Sequence, residues 1–371
     1  MSSNYIKGVY KNNLGDDLLI KLLCERYPNE QFLMLNYRNG NKNAPTNNIK
    51  KLDINNKFYT TVNKAFAKVG IINPIERYFI NKSDRVIIVG GSLFMERKNY
   101  KNDKKIFNLY WYQKLRKDFL IIGSNIGPVY TDEYINTIKK EIFAKAKNVC
   151  LRDKKSYEYV KDLKNVNCGT DLVFSMNSDK YNSKMNTKKV IFSVINIDKK
   201  ANQIANPNTE KYEKLMNEMI DKFIDFGYEV ELYSFCKSEG DESAIEKIKS
   251  INKNSDKLKT YYYNGNIDEA LDELSSATVI VGTRFHANVI GMVMNKTIIP
   301  VIYNDKTREL LNDINFKGKF VDIDNIDEFN LNELTEKDLK YKINIDKQKK
   351  EALKHFEYLD KILERNDKDE K

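Results

Sequence analysis

Short runs of β-branched and aliphatic residues alternate along this chain with longer amphipathic stretches, and they do so in two successive series. A strand buried on both faces reads as an unbroken apolar run, and a crossover helix must follow it before a parallel neighbour can begin. The pattern predicts an α/β chain of doubly wound parallel sheets. In the first series the strands are expected at Tyr5–Tyr10, Gln31–Tyr37, Arg85–Val89, Phe119–Gly123, Asn148–Leu151 and Asn165–Cys168. In the second they are expected at Val190–Val194, Tyr228–Ser234, Lys259–Tyr263, Thr278–Gly282, Thr297–Tyr303 and Phe320–Ile323. Asn177–Lys189 is polar, lacks an apolar period and reads as a linker. The expected organisation is therefore a Rossmann-like domain over residues 1–176, a linker over 177–189, a second Rossmann-like domain over 190–340, and a helical, charged tail over 341–371. A chain of 371 residues exceeds the size at which single cores stop growing, which suits two domains. In the tail, Leu353, Phe356, Leu359 and Leu363 share one helical stripe, and His355 reads as a surface residue.

The formal charge of +10 raises the question of nucleic acid. Lysine, however, is scattered from end to end among Asp and Glu, with no basic stripe, so the charge reads as the Lys-, Asn- and Ile-rich usage of an A+T-rich genome. No nucleic-acid partner is expected; attraction to anionic lipid or an anionic substrate remains compatible with the charge. Cys24, Cys150, Cys168 and Cys236 form no C-x-x-C pair and read as reduced thiols. The polar opening and the lack of a long apolar stretch point to a soluble, cytoplasmic protein.

In an open parallel sheet, ligands gather beyond the carboxyl ends of the strands, where helix N-termini present free N–H groups. Five such junctions carry unusual residues. Lys11–Asp17 holds Asn13, Gly15 at an expected tight turn, and Asp16; the side chains of Asn13 and Asp16 suit sugar hydroxyls or, more plainly, a helix cap. Gly90-Gly91-Ser92-Leu93-Phe94 and Gly123-Ser124-Asn125-Ile126-Gly127-Pro128 each allow close backbone approach, or simply turn a strand into a helix. Leu151-Arg152-Asp153, with Ser156 beyond, sends out an arginine suited to a phosphate or carboxylate, or to a structural Arg–Asp pair; Gly169-Thr170-Asp171 brings a carboxylate nearby. Thr283-Arg284-Phe285-His286 leaves the strand at Thr278, and Lys306 leaves the next one in Tyr303-Asn304-Asp305-Lys306. A lone histidine is more often structural than catalytic, but two cations beside it suit an anionic substrate.

Taken in order, N-x-G-D, G-G-x-L-F, G-x-x-x-G-P, L-R-D-x-x-S, G-x-D-L, R-F-H and Y-x-x-K resemble the motif series of the polysaccharide pyruvyltransferase family, over roughly residues 10–315. The resemblance implies a GT-B-like fold with its active site in the interdomain cleft, phosphoenolpyruvate as donor, a bacterial cell-surface glycan or its lipid-linked precursor as acceptor, and no metal or other cofactor. It implies that His286 serves catalysis and that Arg152, Arg284 and Lys306 bind the donor; from their places at the strand exits, Arg284 and Asp16 are also expected to serve catalysis, and Asp171, Gly90, Gly91, Ser92 and Asn13 to serve binding. Ser92 stands where relatives often carry a third glycine, and Thr283 where serine is common. Making a pyruvate ketal requires an acid that protonates the methylene carbon of the donor, and an imidazole, which ordinarily titrates near pH ~6.5, suits that work. Asp16 or Asp171 is the expected acceptor of the sugar hydroxyl proton. Peripheral contact with the inner membrane face is an accompanying expectation. The rival readings are a GT-B glycosyltransferase using a nucleotide sugar and a noncatalytic glycan- or nucleic-acid-binding protein.

Overall fold

A computed structural model describes residues 3–36, 40–54, 57–68, 73–97, 118–181 and 188–369. Tyr37 and much of the expected linker lie outside these residues. The chain divides into two compact units.

The first unit is built on seven parallel strands: β1 (Ser3–Lys7), β2 (Gln31–Asn36), β3 (Ile49–Asp53), β4 (Arg85–Val89), β5 (Phe119–Ser124), β6 (Asn148–Leu151) and β7 (Val166–Cys168). Their order across the sheet is β3-β2-β1-β4-β5-β6-β7, so strand order reverses between β1 and β4. The central strands are buried along nearly their whole length, as Val86–Val89 and Phe119–Ile122 illustrate. Against them pack Phe94 and Phe143, whose rings meet edge to face at 4.7 Å, together with Tyr134 and Ile138 from the helix Asp132–Glu141.

The second unit holds six parallel strands: β8 (Lys189–Ser193), β9 (Glu229–Ser234), β10 (Lys259–Tyr262), β11 (Val279–Gly282), β12 (Thr297–Ile302) and β13 (Val321–Asp322). The order is β10-β9-β8-β11-β12-β13, with the reversal between β8 and β11. Asparagine starts its helices repeatedly: Asn208, Asn266 and Asn304 each accept a hydrogen bond from the backbone N–H three residues on, offsetting an otherwise orphaned donor. The helix Thr209–Asp225 lays Met216, Met219, Ile220 and Phe223 on the sheet, with Phe223 edge-on to Phe192.

Several expectations need correction. The first strand starts and ends earlier than Tyr5–Tyr10, and β8 already includes Lys189. Strand β3 was not expected at all: its Ile-Lys-Lys-Leu-Asp sequence sits at a sheet edge and has too little apolar content to signal itself. The single tail stripe is broken into Asp346–Leu353 and Glu357–Asp369, which leaves Leu353 exposed while Phe356 and Leu359 are buried. Lys347–Lys371 belongs to the first unit, where Arg26 pairs with Asp360 at 2.8 Å and the Tyr27 hydroxyl donates to the same carboxylate at 2.9 Å. His355 is interior, not superficial: Gly123 N–H donates to its Nδ1 at 3.1 Å, and its Nε2 lies 2.7 Å from the Thr170 carbonyl. Nδ1 must therefore accept, which puts the proton on Nε2. Near the other terminus, Asn12–Gly15 belongs to the second unit although its neighbours in sequence belong to the first.

Candidate active site

In the first unit the glycine and arginine motifs meet beyond the carboxyl ends of β4, β5 and β6. Arg152, at the exit of β6, is buried; its Nη1 donates to Asp171 at 2.9 Å and its Nη2 to Asn125 Oδ1 at 2.8 Å. Ser92 also donates to Asn125 Oδ1, at 3.1 Å. Gly91 is needed here because a Cβ would lie 3.0 Å from Arg152 Nη1, and its carbonyl accepts from Ser124 Oγ and Asn125 N. Asp153 caps the helix Lys154–Glu158 by accepting from Ser156 N at 2.7 Å, and the Ser156 hydroxyl accepts from Ile126 N at 2.7 Å. Four separate sequence motifs thus form one hydrogen-bonded rim. The arginine does pair with an aspartate, but with Asp171 rather than the adjacent Asp153. Asp171 Oδ1 accepts from Val173 N as well, so this carboxylate holds the rim together.

In the second unit His286 stands in the first turn of the helix Phe285–Val293, at the exit of β11 and therefore at the strand-order reversal. Gly15 lies directly on its ring: a Cβ there would approach Cγ to 2.6 Å and Cε1 to 2.7 Å. Gly15 does not make the tight turn that the sequence suggested; it sits inside the helix Leu14–Arg26, and its missing side chain makes room for the imidazole. The preceding residues are tied to the loop after β9, with Leu14 N–H donating to the Phe235 carbonyl at 3.1 Å and Asn13 bridging Cys236. Asp16 follows in the first helical turn, half buried, and Asp17 accepts from Lys11 N at 3.0 Å and Asn41 Nδ2 at 3.0 Å.

Arg284 was expected to open its fork to a ligand, yet two carboxylates already engage it. Its Nε donates to Asp241 Oδ2 at 3.1 Å, its Nη2 to Asp241 Oδ1, and its Nη1 to Glu239. Glu239 also meets Lys200 at 2.6 Å, so two cations and two anions balance locally. Burial opposes the charge on Glu239, but Arg284 and Lys200 outweigh it and hold its carboxyl down at about 2. Three of the five guanidinium N–H groups are used in this way, which leaves two for other acceptors. Thr283 is fully buried, its hydroxyl 3.1 Å from that of Tyr212, which in turn accepts from Ile195 N at 3.2 Å. Lys306 lies in the first turn of the helix Asp305–Asp313, beyond β12, half buried.

Sequence reasoning missed Glu239 and Asp241. Both follow the carboxyl end of β9, and two acids around Gly240 at a strand exit were the available signal. No cluster of metal-ligating side chains occurs among the described residues, and none of their helices is long and apolar enough to cross a membrane.

Two parallel doubly wound sheets in one chain define a GT-B-like fold. Similarity to solved structures supports that class: the chain superposes on an Anabaena protein, HepE, solved with UDP and glucose, with a TM-score of 0.55 at 9% identity over 98% of this chain and 100% of that one. It also superposes on a Methanocaldococcus jannaschii UDP-GlcNAc 2-epimerase with a TM-score of 0.56 at 12% identity over 97% and 99%. Identities this low speak for the fold alone. A family model described as polysaccharide pyruvyl transferase matches residues 13–306, and the chain belongs to that enzyme family.

Proposed function

We propose that the protein transfers the pyruvyl group of phosphoenolpyruvate to two hydroxyls of one sugar in a bacterial cell-surface polysaccharide or its lipid-linked precursor. The observation that carries this reading is His286, held in the first turn of a helix at a strand-order reversal, with Gly15 against its ring and Arg284 two residues before it. The imidazolium gives its proton to the methylene carbon of the donor while a sugar hydroxyl attacks the central carbon. Phosphate then leaves with its bonding pair, a second hydroxyl attacks the same carbon, and its proton departs as the ketal closes. General acid catalysis of this kind is worth about 10²–10⁴-fold.

The donor's phosphate and carboxylate are held by Lys306 and by the N–H groups of Arg284 that Asp241 and Glu239 leave over; Arg152, in the first unit, is a further side chain suited to an anion. Arg284, already engaged by Asp241 and Glu239, mainly supplies direction. Gly90, Gly91, Ser92 and Asn13 serve the acceptor, and Asp16 takes the hydroxyl proton; Asp171, occupied by Arg152, is the weaker candidate for that step. The net charge of +10 supports peripheral attraction to anionic phospholipid, where a lipid-linked acceptor resides.

Incubating the protein with phosphoenolpyruvate and a panel of lipid-linked or synthetic glycans, while following phosphate release and product mass, tests the reading. The expected product gains 70 mass units on the order of one enolpyruvyl addition. His286→Ala should lower turnover by about 10²-fold or more and leave donor affinity within severalfold. Near-normal turnover in that variant, or product from a uridine diphosphate sugar and none from phosphoenolpyruvate, would overturn the proposal.

A further inference from the structure

Asp241 is buried to zero exposure, and no step of the transfer above passes through it. Its carboxylate collects four donors. Phe235 N–H and Cys236 N–H each reach Oδ2 at 2.9 Å, Arg284 Nε reaches Oδ2 at 3.1 Å, and Arg284 Nη2 meets Oδ1. These donors belong to two different structures that both end at His286. Phe235 and Cys236 form the seat of the amino-terminal strap, where Leu14 N–H bonds the Phe235 carbonyl and Asn13 bridges Cys236; the next residue, Gly15, lies on the imidazole. Arg284 is the residue from which the helix carrying His286 begins. One carboxylate therefore fixes the histidine along both routes.

We infer that Asp241 is the positioning residue of the His286 site, locking the strap against one side of the imidazole and the start of its helix on the other. This rests on the proposed role of His286 in transfer. A buried carboxylate with four donors is a rigid node, because removing its charge leaves a buried guanidinium and two backbone N–H groups with poorer partners. Glu239 touches the same guanidinium but neither backbone N–H of the loop in the bonds described, so it shares the charge and not the clamp.

The chain has two histidines, so imidazole NMR resonances of the full-length protein report His286 and His355 separately. In Asp241→Asn the His286 resonances should move or broaden while those of His355 stay in place. In the same variant kcat should fall about tenfold or more, with the KM for phosphoenolpyruvate within about threefold, since misplacement of a reacting group costs rate before affinity. Glu239→Gln should leave the His286 resonances near their original positions. If Asp241→Asn does not fold, Asp241→Glu, which keeps the charge and shifts it by one methylene, carries the same expectations. Unmoved His286 resonances in a folded Asp241 variant would overturn the inference. So would an equal displacement in Glu239→Gln, or loss of the fold in both Asp241 variants, because Asp241 would then serve charge balance or the domain as a whole. The spectra need no substrate, so displaced resonances beside an absence of phosphoenolpyruvate turnover would sink the proposed donor and leave the positioning intact.

Discussion

A residue can matter by what it lacks. Gly15 bears no φ that demands glycine among the positive values of the chain; it is required because His286 fills the space a Cβ would take. Gly15→Ala must therefore push either the ring or the strap aside, and turnover should fall by about 10²-fold with a modest loss of stability, read by steady-state kinetics beside thermal unfolding. Wild-type turnover in that variant would mean that the ring has room to spare. Arg152 shows the opposite case, a buried charge with its partners assembled. Removing Asp171 alone, as Asp171→Ala, should cost about 3–5 kcal/mol in urea unfolding, because it strands a buried guanidinium. The types and places of His286, Arg152 and Gly91 were legible in the sequence, since they lie at strand exits within recognisable motifs. Their partners were legible only for Arg152, near which the following strand exit was expected to bring Asp171. Gly15 meets His286 and Asp241 meets Arg284 across longer stretches of chain, and spacing carries no information about such pairs.

At the scale of elements, the strands were legible wherever both faces are buried, as in Val86–Val89 or Ile298–Ile302. They became illegible at an edge, where β3 keeps only Ile49 and Leu52 apolar. Helical periodicity misled in the tail, because His355 reads as the surface residue of one polar helix, whereas it lies in the turn between two helices. Burial, against the bond to Thr170, lowers the His355 pKa below the ordinary imidazole value. The unfolded chain thus binds a proton at a higher pH than the folded one. The stabilisation is complete above about pH 6.5 and declines as pH falls from there toward the folded-state value. Urea unfolding between pH 8 and 5 should show that decline in the wild type and a shallower one in His355→Gln; parallel curves would mean that His355 binds its proton equally well in the folded and unfolded chains. The substitution itself should cost about 1–3 kcal/mol through the Gly123 N–H and Thr170 carbonyl it leaves behind.

For the whole molecule, the two units are not consecutive lengths of chain. The first is completed by Lys347–Lys371, and the second takes in Asn12–Gly15. The sequence suggested a simple tandem because apolar periodicity locates elements and says nothing about which core each one joins. A chain ending at Asp346 would lose the buried side chains of Phe356 and Leu359, each worth about 1.5–3 kcal/mol, and the His355 bonds besides. Calorimetry should show the unfolding temperature lowered for part of the molecule; an unchanged thermogram would mean that the tail is dispensable. The amino-terminal strap has a further consequence in time. Asn13 leaves the ribosome more than two hundred residues before Cys236, the residue it bridges. At synthesis rates of about 5–20 residues per second, the strap waits on the order of 10–45 s for its seat. The surroundings of the His286 imidazole thus cannot assemble until well past the middle of synthesis, and until then those early residues are open to whatever else the cell offers them.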